Sequence, residues 1–275
     1  MEQGIEGRRS LPDVNRLSVI SATILLAYAL VPYIDIPGRN WDITVMGAIF
    51  SFRLNFSVLI TILVALMAAA GMEWLLRSHP FFGGQNTFQH RLLPALTALV
   101  IGFPLNSIGV DQRWWAVFSF GSIFLILVFV AEFIVLDLGD GRHAIATMGL
   151  TGVSFALYLF LCIAIRGAEI RSYLVFPALS GAMLLVALRT LYLRLDGRWC
   201  VRWSIGIALV VGQLSVALHY FSLTPLAYGL VLLGPAYALT GLVSAIEERR
   251  PWRSLWIEPI SMMVILTLLA ISIGR

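Results

Sequence analysis

The sequence predicts an all-α transmembrane protein: a polytopic helical bundle of about nine spans, with a short extracytoplasmic β-hairpin after the first span. Three observations carry that prediction. The chain is 59% hydrophobic and only 12% charged, with a mean hydropathy of +0.89, whereas soluble domains carry about 25% charged residues. A chain this apolar would expose large patches to water and aggregate, so lipid must be the solvent for most of its surface. Its apolar runs also recur at lengths close to the roughly 20 residues that cross the hydrocarbon as a helix, and no hydrophilic stretch is long enough to form a soluble domain.

In chain order the candidate spans are 17–34, 56–76, 92–110, 114–136, 143–165, 172–193, 203–221, 225–246 and 255–273. Residues 1–16 form a cytoplasmic N-terminal tail, and residues 17–275 one polytopic transmembrane domain. Ala27-Tyr28-Ala29 offers a small-residue cleavage site that could end a signal peptide within residues 1–29. The apolar run continues to Ile34, which favours an uncleaved anchor. The first loop, 35–55, is the longest. Within it "WDITVMGAIFSFRLN" (41–55) alternates apolar and polar residues on both sides of Gly47, a pattern that predicts a short hairpin. An isolated hairpin is marginal in water, so this one is expected to rest its apolar face on the outer helix ends, as a structured cap or as a lid or docking surface.

Orientation follows from the arginines, because cytoplasmic loops carry the excess of positive charge. With the N-terminus cytoplasmic, the inner segments hold thirteen arginines (8, 9, 16, 77, 91, 142, 189, 194, 198, 202, 249, 250 and 253) and the outer ones hold six (39, 53, 113, 166, 171 and 275). An odd number of spans then leaves the C-terminus extracytoplasmic, which suits a multi-pass protein of a bacterial inner membrane. Tryptophan favours the headgroup region. Trp74, Trp199, Trp203, Trp252 and Trp256 fall near the inner boundary, and Trp41, Trp114 and Trp115 near the outer one.

Few residue patterns carry chemistry. All 19 basic residues are arginine, which excludes a lysine Schiff base and a P-loop lysine. Codon usage in a GC-rich genome is the expected reason for that bias, well ahead of a purpose in phosphate binding. Cys162 lies in an apolar run and Cys200 in a basic loop, so they form neither a disulfide framework nor a metal cluster. Asp137-x-x-Asp140-Gly141-x-x-Ala144 matches the start of the paired-aspartate motif of CDP-alcohol phosphotransferases. The match then fails, because Ile145 stands where that family needs arginine and no aspartate follows between 141 and 195. Oxygen-ligand metal sites need several carboxylates, so "DLGDGR" is expected to be a tight loop. The histidines at 79, 90, 143 and 219 give no i,i+4 zinc pair. Nothing points to a metal, a cofactor or nucleic acid.

Two candidate sites remain. Ser204, Ala208, Gly212, Ser215 and His219 share one helix face, and such a small-residue stripe allows close helix approach. It directs Ser215 and His219 into the bundle near its outer side, where His219 bonds a neighbouring helix or serves a ligand. The second candidate is an intramembrane polar cluster at the inner leaflet: Glu73, Glu132, Arg189 and Glu258, on spans two, four, six and nine. Glu73 aligns with Ala65 and Ala69, and Arg189 with Ala178 and Ala182. Glu73 and Glu258 can snorkel to the interface. Glu132 and Arg189 are expected to be buried and paired, and the net excess of acid would suit either proton coupling or a structural network. Pro104, Pro177, Pro235 and Pro259 fall within spans, where broken helices can line transport sites. No inverted or tandem repeat is evident.

"VPYIDIPGR" with "FSFRLNF", "ALRTLYLRLDGRW", and "ALHYFSLTPLAYGLVLLGPAYALTGL" together resemble a bacterial family of polytopic membrane proteins classed as a domain of unknown function. The resemblance covers nearly the whole chain and brings no catalytic residues with it. The expected function is therefore that of a non-catalytic membrane protein, a scaffold, assembly factor or complex subunit, with the lipid bilayer and a membrane-protein partner or second copy as its partners. The alternative is a small-molecule or lipid transporter using the inner-leaflet cluster. A membrane-embedded enzyme ranks third.

Overall fold

The computed structural model describes residues 12–34, 39–45, 48–54, 56–78, 88–136, 142–169, 171–195, 197–249 and 251–274. Among them are nine α-helices, eight of which are long and apolar enough to cross a membrane. The chain divides into two compact units, Met1–Phe133 and Ile134–Arg275.

The first unit begins with α1, Val14–Leu30. Asp13 caps it by accepting a hydrogen bond from the Asn15 amide at 3.0 Å, which satisfies one of the donors a helix start leaves open. The apolar run then tightens into a 3-10 turn, Val31–Tyr33, containing Pro32. Two antiparallel strands follow, β1 Arg39–Val45 and β2 Ala48–Leu54, in a register that sets Trp41 opposite Phe52 and Ile43 opposite Phe50. Gly47, where the sequence turns, lies outside the described residues, as do Asp137 and Asp140.

The helices α2 (Phe56–Leu76), α3 (Phe88–Ser107) and α4 (Gln112–Val135) complete the unit. Their sequences fix them to one another at both ends. Where α2 ends and α3 begins, Arg91 pairs with Glu73 at 3.1 Å, and His90 of α3 meets Glu132 near the end of α4 at 2.8 Å. At the other end, the Asn106 amide donates to Thr61 Oγ1 at 2.6 Å, and Trp114 Nε1 donates to the Leu105 carbonyl at 3.1 Å. Thus α3 runs antiparallel to both neighbours. At 1.5 Å per residue its length is roughly 30 Å, the thickness of the hydrocarbon.

The expected third span, 92–110, is corrected here. The helix starts four residues earlier and includes Gln89, His90 and Arg91 in its first turn. These residues, with Pro94, Pro104 and Asn106, keep α3 out of the eight apolar helices. Gln89, His90 and Thr97 are nevertheless buried. Lipid tolerates a polar helix when its polar side chains face protein.

Trp114 lies in the first turn of α4. It is 1% exposed and stacks on Phe118 at 5.2 Å, so it anchors the inside of the unit. Trp115, 50% exposed, is free to take the headgroup position.

Close approach inside this unit depends on glycine. A Cβ on Gly102 would lie 2.6 Å from Thr61 Cγ2 and 2.9 Å from the Tyr28 hydroxyl oxygen. That hydroxyl in turn donates to the Ala98 carbonyl. Thr61 is β-branched and Tyr28 is fully packed, so neither can give way easily. Gly102→Ala is expected to destabilise the detergent-solubilised protein by about 1–3 kcal/mol through overpacking. A thermal-unfolding midpoint unchanged from wild type would contradict this packing.

The second unit holds α5 (His143–Gly167), α6 (Ser172–Arg194), α7 (Val201–His219), α8 (Pro225–Glu247) and α9 (Trp252–Gly274). α8 packs against each of the other four. Thr224 caps it, its hydroxyl accepting from the Ala227 amide at 3.3 Å, and Pro225 occupies the first helical position. Gly229 lets α8 approach Leu159 of α5, and Gly212 lets α7 approach Ser180 and Phe176 of α6. Pro177, Pro235 and Pro259 lie inside helices that continue through them, as does Pro104 in α3. The expectation of broken helices at these positions is corrected accordingly; helical packing in membranes commonly tolerates such prolines.

Candidate functional site

The polar end of the first unit gathers residues from three helices. Glu73 sits near the end of α2, His90 and Arg91 in the first turn of α3, and Glu132 near the end of α4. His90 Nδ1 lies 2.8 Å from Glu132 Oε2, with side-chain exposures of 5% and 0%. Glu73 binds Arg77 at 2.9 Å and Arg91 at 3.1 Å. It is 26% exposed, and Arg77 is 62% exposed, so this trio lies at the rim while the His90–Glu132 pair is dry.

The four residues expected to cluster divide between the units: Glu73 and Glu132 belong to the first, Arg189 and Glu258 to the second. Arg189 is fully buried on α6 beside Ala182, Val186 and Thr190, its guanidinium 5.9 Å from the Tyr192 ring centre. The small-residue face ends there, because Ala178 is exposed. Glu258 is exposed on α9 and accepts a hydrogen bond from the Tyr237 hydroxyl at 2.9 Å. The sequence-based pairing of Glu132 with Arg189 joins residues of different units and stands as a proposal.

His90, Arg77, Arg91 and Tyr237 were absent from the sequence-based set. A third span that starts at Leu92 puts His90 and Arg91 in the preceding loop. The i,i+4 spacing of Glu73 and Arg77 was the available signal for the rim pair.

On the other candidate face, Ser204, Ala208 and Ser215 are buried and His219 is half-buried. Among the described residues, Ser215 and His219 make no hydrogen bond to each other. Ser215 Oγ donates to the Gly212 carbonyl at 2.6 Å, and the Ser215 carbonyl accepts from the Tyr228 hydroxyl at 2.9 Å. The partner of His219 is Arg166, at the end of α5. Its Nη1 reaches His219 Nδ1 at 3.3 Å and the His219 carbonyl at 2.9 Å, and its Nη2 reaches the Phe221 carbonyl at 2.8 Å. Guanidinium only donates, so Nδ1 accepts and the ring hydrogen sits on Nε2. Arg166 thereby closes the carboxyl end of α7, where open carbonyls favour a cation. A cavity of about 350 Å³ adjoins it, with Glu169 on its wall.

The resemblance drawn from four stretches of sequence is decided by comparison with known families. The model of one family, described as a protein of unknown function (DUF5656), matches residues 36–273. The chain belongs to the DUF5656 family. No curated protein and no solved structure matches it.

For this DUF5656 chain the side-chain chemistry is that of pairing. Burial and the nearby Glu247 carboxylate push the Cys200 thiol up, with Arg198 acting the other way, and a protonated thiol is a poor nucleophile. Among the described residues no group of three histidine, cysteine, aspartate or glutamate side chains could hold a metal ion.

Proposed function

We propose that this multi-pass membrane protein is non-catalytic and acts as a scaffold, an assembly factor or a subunit of a larger membrane complex. The observation that supports this reading is how the acids in its spans are engaged. Glu73 is held between two arginines, Glu132 by His90, and Glu258 by a tyrosine hydroxyl. Polar groups disposed in this way act as glue between helices. The proposed setting is a bacterial inner membrane, with the N-terminus cytoplasmic and α1 retained as an anchor. Retention is supported by Ile20, Ile24 and Tyr28 of α1, which are buried in the first unit.

Extraction from native membranes in a mild detergent tests the role. The protein is expected to migrate as an assembly larger than its 30.4 kDa chain, with a stoichiometric partner or a second copy. A monomer carrying stoichiometric solute would overturn the scaffold reading in favour of transport. One observation favours that second reading: a histidine and a carboxylate, His90 and Glu132, meet at 2.8 Å in a buried place, and buried ionisable pairs mark proton paths in carriers. Its own test is proton flux into proteoliposomes, expected to disappear in Glu132→Gln if the pair carries the proton.

A further inference from the structure

Arg194, the last residue of α6, is half-buried. Its guanidinium lies over the Tyr237 ring of α8, 5.4 Å from the ring centre. Its Nη1 would be 3.7 Å from a Cβ placed on Gly241, one turn further along α8. The side chain therefore crosses α8 over an aromatic ring and beside a position that carries no side chain. Among the described residues it makes no hydrogen bond and no ion pair. The carboxylate on the same tyrosine, that of Glu258, is held by the hydroxyl group. A guanidinium carries five N–H donors in a planar fork. Packing against a ring stabilises its charge but leaves those donors without acceptors, and a polar group partly removed from water is costly when unpaired.

The level of Arg194 suggests what supplies the acceptors. Trp199 and Trp203 lie just beyond it and are 39% and 44% exposed, a position tryptophan takes among headgroups. Arg198 and Arg202 are exposed on the same short stretch. Among the described residues the ion pair there is long, Arg198 to Glu247 at 3.8 Å. Gly197, at φ +86°, makes the turn that brings this stretch back toward α7. Arg194, Arg198 and Arg202 outnumber the one acid of this stretch, Asp196; an excess of positive charge at headgroup level attracts anionic lipid, and the guanidinium fork matches two phosphate oxygens at once.

We infer that Arg194, braced by Tyr237 and flanked by Arg198 and Arg202, binds a phosphate group at the membrane surface. An anionic lipid headgroup supplies that phosphate, and a soluble phosphoryl compound shares the chemistry. The inference does not depend on whether the protein is a scaffold or a carrier.

The test uses the full chain in detergent. Thermal unfolding is followed as phosphatidylglycerol, phosphatidylcholine or inorganic phosphate is titrated in. Phosphatidylglycerol is expected to raise the midpoint saturably, and phosphatidylcholine is not. In Arg194→Gln the apparent affinity for phosphatidylglycerol is expected to fall by about ten-fold or more. A saturable shift with inorganic phosphate that is lost in Arg194→Gln upholds the phosphate site and assigns it to a soluble ligand. Arg194→Lys keeps the charge but not the fork, and serves if the glutamine variant does not fold; its affinity is expected to fall several-fold. Equal response to both lipids in wild type, or unchanged affinity in the variants, overturns the inference.

Discussion

Glu132→Ala is expected to lower the stability of the detergent-solubilised protein by about 3–5 kcal/mol, the usual cost of removing one member of a buried charged pair. The magnitude follows from burial. Glu132 is 0% exposed and its partner His90 5%, so no water replaces the lost hydrogen bond at 2.8 Å. The rim carboxylate gives the contrast. Glu73 has two arginine partners, but it is 26% exposed and they are 62% and 31% exposed. Solvent screening there weakens each pair. Glu73→Ala should therefore be the milder change, although two arginines hold it. The decisive measurement is a thermal-unfolding cycle of Glu132→Ala, His90→Ala and the double variant. The double variant is expected to lose clearly less than the sum. Strict additivity would mean that the two residues do not support each other. A parallel cycle with Arg189→Ala tests the sequence-based proposal for the same carboxylate.

The membrane character, the existence of every long helix and most boundaries were legible in the sequence, because lipid burial writes itself as apolar runs of fixed length. The bounds expected for 56–76 are those observed for α2, and α5 through α9 differ by three residues or fewer at either end. α3 was the least legible helix. Its first turn, Gln89-His90-Arg91, looks like loop on composition, yet it faces protein partners. Trp115 is exposed and Trp114 buried, a difference that apolar runs do not show, since one residue turns a side chain by about 100° around a helix. The same rotation explains the site residues. Spacing put Ser215 and His219 on one face, but it could not show that Ser215 bonds its own backbone, or that Arg166 from a distant helix holds His219. Partners across helices depend on which helices are neighbours, and apolar text does not encode that directly.

A reporter fused after Arg275 is expected to lie on the opposite side of the membrane from one placed in the N-terminal tail. The prediction turns on α3, the helix that composition alone leaves out of the membrane. If α3 did not cross, eight crossings would put both termini on one side. The ties within the first unit argue against that. Arg91 and His90 bind the start of α3 to the ends of α2 and α4, while Asn106 and Leu105 bind its end to their starts. α2 and α4 therefore point the same way. If both cross, the chain must return between them, and α3 is the segment that spans the distance. Arginine placement gives an independent argument. Nine crossings divide the 19 arginines thirteen to six, whereas omitting α3 reverses every later loop and divides them nine to ten. Only the first division has the cytoplasmic excess that orients membrane proteins. A reporter active only outside the cytoplasm should therefore signal after Arg275 and stay silent in the loop around Gly197, and a reporter active only inside should do the reverse. A reporter after Arg275 on the same side as one in the N-terminal tail would remove α3 from the membrane. It would also place the arginines at 194, 198 and 202 outside the cytoplasm, opposite the C-terminus.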